Sequence, residues 1–168
     1  MSPSDAVRDQ FDAAGTLITG TRPDQLDAPT PCSEWAVRDL ISHLMAGSHV
    51  FGTMLAGGEA ELPERPPALP EGDLATAWND ARSAFMEGLD SPGATERDLP
   101  MPGGRLPALV LVDVLKFDVL VHCHELARAT GQQFDPPDDV VEEAYQIALG
   151  AADASPIDSL AAFCGRQV

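Results

Sequence analysis

The stretch LPALVLVDVLKFDVLVHCHELARATG, residues 106–131, decides how this chain folds. Pro107 suits the first position of a helix, and Gly131 is a natural C-terminal stop. Nothing between them breaks a helix, and the segment is apolar around most of its circumference, so a helix here must be largely buried. At about 100° per residue, its polar side chains fall into two groups roughly 140° apart. Asp113, Lys116, His124 and Arg128 share one face, and Asp118, His122 and Glu125 share the other. The face that mixes both signs of charge is the one expected to meet solvent. Asp118, His122 and Glu125 then point into the interior beside Leu111, Val114, Leu115 and Ala129, where acids and imidazoles need partners.

Working outward, the chain's fifteen prolines are clustered, and the gaps between clusters are where long helices can lie. A first helix is expected after Ser2-Pro3, with Val7, Phe11, Ala14, Leu17 and Ile18 on one face and an end near Gly20. A second follows Thr30-Pro31-Cys32-Ser33-Glu34-Trp35, its apolar positions Val37, Leu40, Ile41, Leu44, Phe51 and Leu55 recurring at three and four until Gly57-Gly58. Glu61 to Gly72 reads as an extended, proline-rich loop, after which Asp73 caps a third helix through Leu74, Ala77, Trp78, Ala81 and Phe85. Gly88 to Gly104 is rich in turn residues, with a β-hairpin around Asp98–Arg105. The segment quoted above is the fourth helix. A fifth follows Pro136-Pro137-Asp138 and reaches Leu149, and Ser155-Pro156 opens a last short turn through Leu160 and Phe163. These elements predict an all-α bundle of four main helices with a short C-terminal helical appendage, in a single domain spanning 1–168.

Charge and composition narrow the function. Twenty-seven acids against ten bases among 168 residues give a formal charge of −17, which repels nucleic acid and anionic lipid, so neither is an expected partner. There is no basic and apolar leader, and no apolar run approaches the roughly 18 residues that span a bilayer, so the expected location is the cytoplasm. Cys32, Cys123 and Cys164 are too few and scattered for a disulfide framework and include no CxxC pair, so reduced thiols are expected. None of the three reads as a nucleophile. Cys123 points about 100° away from His122 and suits packing.

Asp118-x-x-x-His122 sets a carboxylate and an imidazole one above the other on a helix, close enough to grip one ion. A third donor is offered by His43 on the second helix, in a stripe Leu40, His43, Gly47, Val50, Met54 that is otherwise apolar or small. Gly47, one turn beyond His43, leaves space beside the ring. Three N/O donors with a vacant position describe a catalytic-type site, since structural zinc is usually closed by four ligands. The competing readings are an ordinary hydrogen-bonded core histidine at His43 and a buried ion pair between Asp118 and His122. Asp39 forms a second Asp-x-x-x-His with His43, which would suit a two-metal centre. Its place in the first turn is read instead as offsetting the helix dipole.

At these residues the chain resembles a known family. Thr30-Pro31-Cys32-Ser33-Glu34-Trp35-Ala36-Val37-Arg38-Asp39-Leu40-Ile41-Ser42-His43-Leu44, together with Asp118-Val119-Leu120-Val121-His122-Cys123-His124-Glu125-Leu126-Ala127-Arg128-Ala129-Thr130-Gly131, is similar to the metal-binding domain of the mycothiol-dependent maleylpyruvate isomerase family, within the DinB-like superfamily of four-helix bundles. The closing Leu160-Ala161-Ala162-Phe163-Cys164-Gly165-Arg166 resembles the Phe-x-Gly-Arg ending of small actinobacterial members. Nine Arg to one Lys also suits a GC-rich actinobacterial genome. The resemblance implies a divalent metal, commonly zinc or nickel, held by His43, Asp118 and His122, with mycothiol as the thiol. Isomerase-type members more often carry Glu at the place of Asp118, Asp at that of Glu125 and Trp at that of His124.

Glu125 is the candidate catalytic side chain, read as orienting His122. Trp35, Gly47 and Met54 are the candidates for contact with the cofactor. The isomerase has a further C-terminal domain, so maleylpyruvate isomerisation itself is not expected. The leading expectation is a metal-dependent thiol transferase or isomerase acting on a small electrophile, as a homodimer. The alternatives are a non-catalytic metal- or ligand-binding bundle responding to stress, and a metal-assisted hydrolase with Glu125 as base.

Overall fold

A computed structural model describes residues 3–101 and 104–154. Helix α1 spans Pro3–Thr19, α2 Val37–Leu55, α3 Leu74–Leu89, α4 Ala108–Thr130 and α5 Asp138–Ala154. Between α3 and α4, strands β1 (Asp98–Met101) and β2 (Gly104–Pro107) pair antiparallel, Leu99 opposite Leu106, where the hairpin was expected. The expected turn through Leu160 and Phe163 lies outside the described residues.

Local chemistry sets the helix ends. Asp73 accepts from the Thr76 amide at 2.9 Å and opens α3. Gly131, at φ +70°, closes α4 in the left-handed conformation that glycine adopts without cost. Asp39 receives the Ala36 amide at 2.9 Å, so it caps the first turn of α2. The end of α2 is tied down twice, because Ser91 Oγ and Arg97 Nε each donate to the Leu55 carbonyl at 3.0 Å.

α1 packs against α3 and α4, and α2 against the same two, so the bundle runs α1–α3–α2–α4 around its core, as the all-α reading predicts. Phe11 stacks on Trp78 and Phe85 between α1 and α3, with ring centroids 5.6 and 4.7 Å apart. α2 and α3 cross at Gly52 and Gly88, so close that a Cβ on either glycine would overlap backbone atoms of the other helix. α5 packs on the outside of α4.

That outer helix corrects one sequence expectation. Lys116 does not share the wet face of His124 and Arg128: it is buried, its ammonium 2.9 Å from Asp113 and 2.9 Å from Glu143 of α5. Burial works against its charge, but Glu143 and Asp113 more than compensate and raise its pKa. Glu143→Ala is expected to cost only about 1 kcal/mol, because Lys116 keeps Asp113 and the Glu143 carboxylate is itself half exposed. Hydrogen exchange should then quicken in α5 and leave α1–α3 unchanged. Equal acceleration everywhere would show that α5 unfolds with the core.

Candidate metal centre

α4 carries two of the three expected ligands inward. His122 is wholly buried and Asp118 nearly so. Their contact is ionic, with His122 Nε2 3.2 Å from Asp118 Oδ1, but it lacks hydrogen-bond geometry. Among the described residues both atoms are buried without a hydrogen-bond partner. From α2, His43 brings its Nε2 to 3.6 Å from Asp118 Oδ2. One donor atom from each of the three lies within 4.8 Å of the others.

These spacings discriminate between an ion pair and an ion cage. Ligand bonds of about 2.0–2.2 Å in a tetrahedral site separate neighbouring donors by roughly 3.3–3.6 Å. A charge-assisted N–H···O hydrogen bond would instead draw them to about 2.7–2.9 Å. His122 stands 3.2 Å from one Asp118 oxygen and His43 3.6 Å from the other, both beyond the hydrogen-bonded range, and the two buried atoms without partners are the ones a cation would satisfy. The donor set therefore fits a divalent ion.

Electrostatics favour the same occupant. Burial alone would push the Asp118 carboxyl up, but the His122 and His43 imidazoles override it and hold it far below the ordinary carboxylate range. Burial likewise disfavours charge on His122, yet Asp118 and the neighbouring Cys32 and Glu125 raise it well above the ordinary histidine value. The cage thus attracts positive charge, whether a proton or a metal.

The far side of the His122 ring is held differently. Its Nδ1 is 2.8 Å from Glu125 Oε2, a hydrogen-bond distance between two buried groups. Cys32 Sγ donates to the same oxygen at 3.2 Å. Cys123, the neighbour of His122 in sequence, is buried in packing, and burial pushes its thiol up to about 12.

Of the residues expected to meet a cofactor, Trp35 borders the centre and Met54 lies away from it. The Trp35 ring centroid lies 4.8 Å from that of His43 and 5.9 Å from that of His122, so the indole walls the site. Gly47 lies one turn along α2 from His43, and a Cβ there would meet nothing nearer than the Phe51 ring at 3.8 Å. The centre reaches solvent at His43, whose side chain keeps 25% of its exposure while Asp118 keeps 7%. Met54 is buried in the core eleven residues beyond His43, a rise of about 16 Å along α2. Helical periodicity extends an apolar stripe well past the site it serves.

Sequence reasoning missed Cys32. It precedes α2 in a loop closed by an antiparallel bridge between Pro29 and Ala36. Inside that loop the Thr30 hydroxyl donates to the carbonyls of Cys32 and Trp35, at 3.1 and 2.7 Å. The Trp35 amide also donates to the Cys32 carbonyl at 2.9 Å. One small closed loop therefore presents the thiol and the indole to the same imidazole. The sequence signal for this was Thr30, a hydroxyl able to staple a turn.

The fold is a helical bundle with a candidate centre of two histidines and one carboxylate, and comparison with known proteins identifies its family. Residues 7–127 match the family described as the mycothiol maleylpyruvate isomerase N-terminal domain, and the chain belongs to that family. The DinB-like assignment is consistent with it. Uncharacterized proteins from two strains of Mycobacterium tuberculosis are each 33% identical to the chain over 187 aligned positions, covering 100% of both sequences. No solved structure gives a significant match. Among the described residues, no helix is long and apolar enough to cross a membrane.

Proposed function

We propose that this protein binds zinc or nickel on His43, Asp118 and His122 and uses it to activate a small thiol, mycothiol, for transfer to or isomerisation of a small electrophile. The observation that carries this reading is the pair of buried atoms without hydrogen bonds, Asp118 Oδ1 and His122 Nε2, gathered with the partly exposed His43 into one group of donors. A divalent ion in such a cage supplies a Lewis acid that lowers the pKa of a thiol and favours its thiolate.

The chain's own residues have separate tasks. Asp118 contributes the only negative charge of the donor set and offsets part of the ion's charge. His43, with a quarter of its side chain exposed, stands at the entrance. Trp35 covers the two imidazoles and excludes water from their faces. Glu125 holds the His122 ring by Nδ1, so its carboxylate lies across the ring from Nε2. That position supports orienting the ligand over serving as base to a water on the ion, and so favours thiol chemistry over hydrolysis.

The test is elemental analysis of purified protein, followed by calorimetric titration of mycothiol into metal-loaded and metal-stripped samples. Heat of binding that requires the metal supports a thiol enzyme. Bound metal with no thiol binding supports the non-catalytic bundle instead.

A further inference from the structure

The loop ahead of α2 brings a cysteine to the rear of the candidate centre, and its geometry shows what the thiol is suited to do. Cys32 Sγ, His122 Nδ1 and Glu125 Oε2 form a second buried group of three metal-ligand types, lying within 4.8 Å of one another and sharing His122 with the first. Two uses are open to such a cluster: a second ion bridged to the first through the imidazole, or a hydrogen-bonded support for it.

The distances decide. A zinc ion held by sulfur at about 2.3 Å and by nitrogen or oxygen at about 2.0–2.2 Å would spread the sulfur–oxygen pair to roughly 3.5–3.7 Å and the nitrogen–oxygen pair to roughly 3.3–3.6 Å. The observed separations are 2.8 Å from nitrogen to oxygen and 3.2 Å from sulfur to oxygen. These are hydrogen-bond distances, shorter than an ion would permit. Both donors also converge on a single carboxylate oxygen. The first group is spaced for an ion and the second for protons.

We infer that Cys32 is a positioning residue for the centre: its thiol donates to Glu125 Oε2, fixing the carboxylate that holds Nδ1–H of His122 and leaving Nε2 to face the ion. The inference rests on the metal reading above for its consequence but on the hydrogen-bond geometry for its content. A buried glutamate side chain has three torsions to set, and two donors converging on one of its oxygens restrict them more than the ring alone does. The Cys32 donor comes from a loop stapled through Thr30. Cys32 is buried with its S–H directed at a carboxylate, which suits it to act as a hydrogen-bond donor.

The experiment compares Cys32→Ala and Cys32→Ser with the unaltered protein, using cobalt(II) as the probe ion. Cys32→Ala should weaken cobalt binding by about tenfold and shift the d–d absorption bands, as loss of an outer support to a ligand does. Cys32→Ser, whose hydroxyl still donates, should restore both. The metal-free proteins supply an independent reading: the downfield Nδ1 proton resonance of His122 should persist in Cys32→Ser and be lost to exchange in Cys32→Ala. Unchanged affinity and resonance in Cys32→Ala would overturn the inference. Equal losses in both variants would too, since that is what a packing role predicts. An intense sulfur-to-cobalt charge-transfer band that vanishes in Cys32→Ser would overturn it by making Cys32 a ligand. If the unaltered protein takes up no cobalt, the metal reading fails while the proton resonance still decides the role of Cys32.

Discussion

Asp118→Ala is expected to lower metal affinity at least about tenfold, the lower end of what even outer supports of a ligand contribute. The substitution removes the only charged member of the donor set and leaves two imidazoles facing the ion. The metal-free protein should remain folded. Breaking a buried ion pair usually costs about 3–5 kcal/mol because an uncompensated charge is left behind. Here the remaining partner is a histidine that can release its proton, and removing the carboxylate also removes the cost of burying it. Titration against a competing chelator and thermal unfolding in the presence of chelator measure the two effects separately. Unfolding of the metal-free variant, with no change in affinity where it still folds, would make Asp118 a structural partner of His122 only.

Gly88→Ala is expected to lower stability by about 3 kcal/mol or more, the upper part of the range for overpacked cores. A Cβ at Gly88 would overlap the carbonyl of Gly52. That obstacle is backbone, so no side-chain rotation relieves it and α2 and α3 must separate. In a 168-residue chain this loss corresponds to a midpoint lower by roughly 6–12 °C. Gly47→Ala is the internal control. Its Cβ meets only the edge of Phe51 at 3.8 Å, so the ordinary advantage of alanine over glycine in a helix, up to about 1 kcal/mol, should appear as a gain. Loss at Gly47 matching that at Gly88 would refute the close approach as the cause.

The grouping of His43, Asp118 and His122 was legible in the sequence for one physical reason. Asp118 and His122 sit four apart on a helix too apolar to be exposed, so geometry and desolvation together demanded a partner, and His43 interrupted the other apolar stripe. Glu125 was legible on the same grounds, three residues on from His122. Lys116 was misread because a helical-wheel projection treats a face as uniform along its length, whereas α5 covers one part of α4 and leaves the surface around His124 and Arg128 open. Met54 was assigned to the site by extending a stripe that, three turns on, simply lines the core. Cys32 carried no periodic signal at all. Its position depends on a loop closed by pairing Pro29 with Ala36, and a single small side chain in a loop gives no angle to project.

Cobalt(II) titration of the metal-stripped protein and of His122→Ala tests whether His43, Asp118 and His122 form one metal site. The unaltered protein should take up one ion per chain with the visible spectrum of a low-symmetry N/O site, and the variant should give no such spectrum. No uptake by the unaltered protein, or an identical spectrum from His122→Ala, would contradict a shared site.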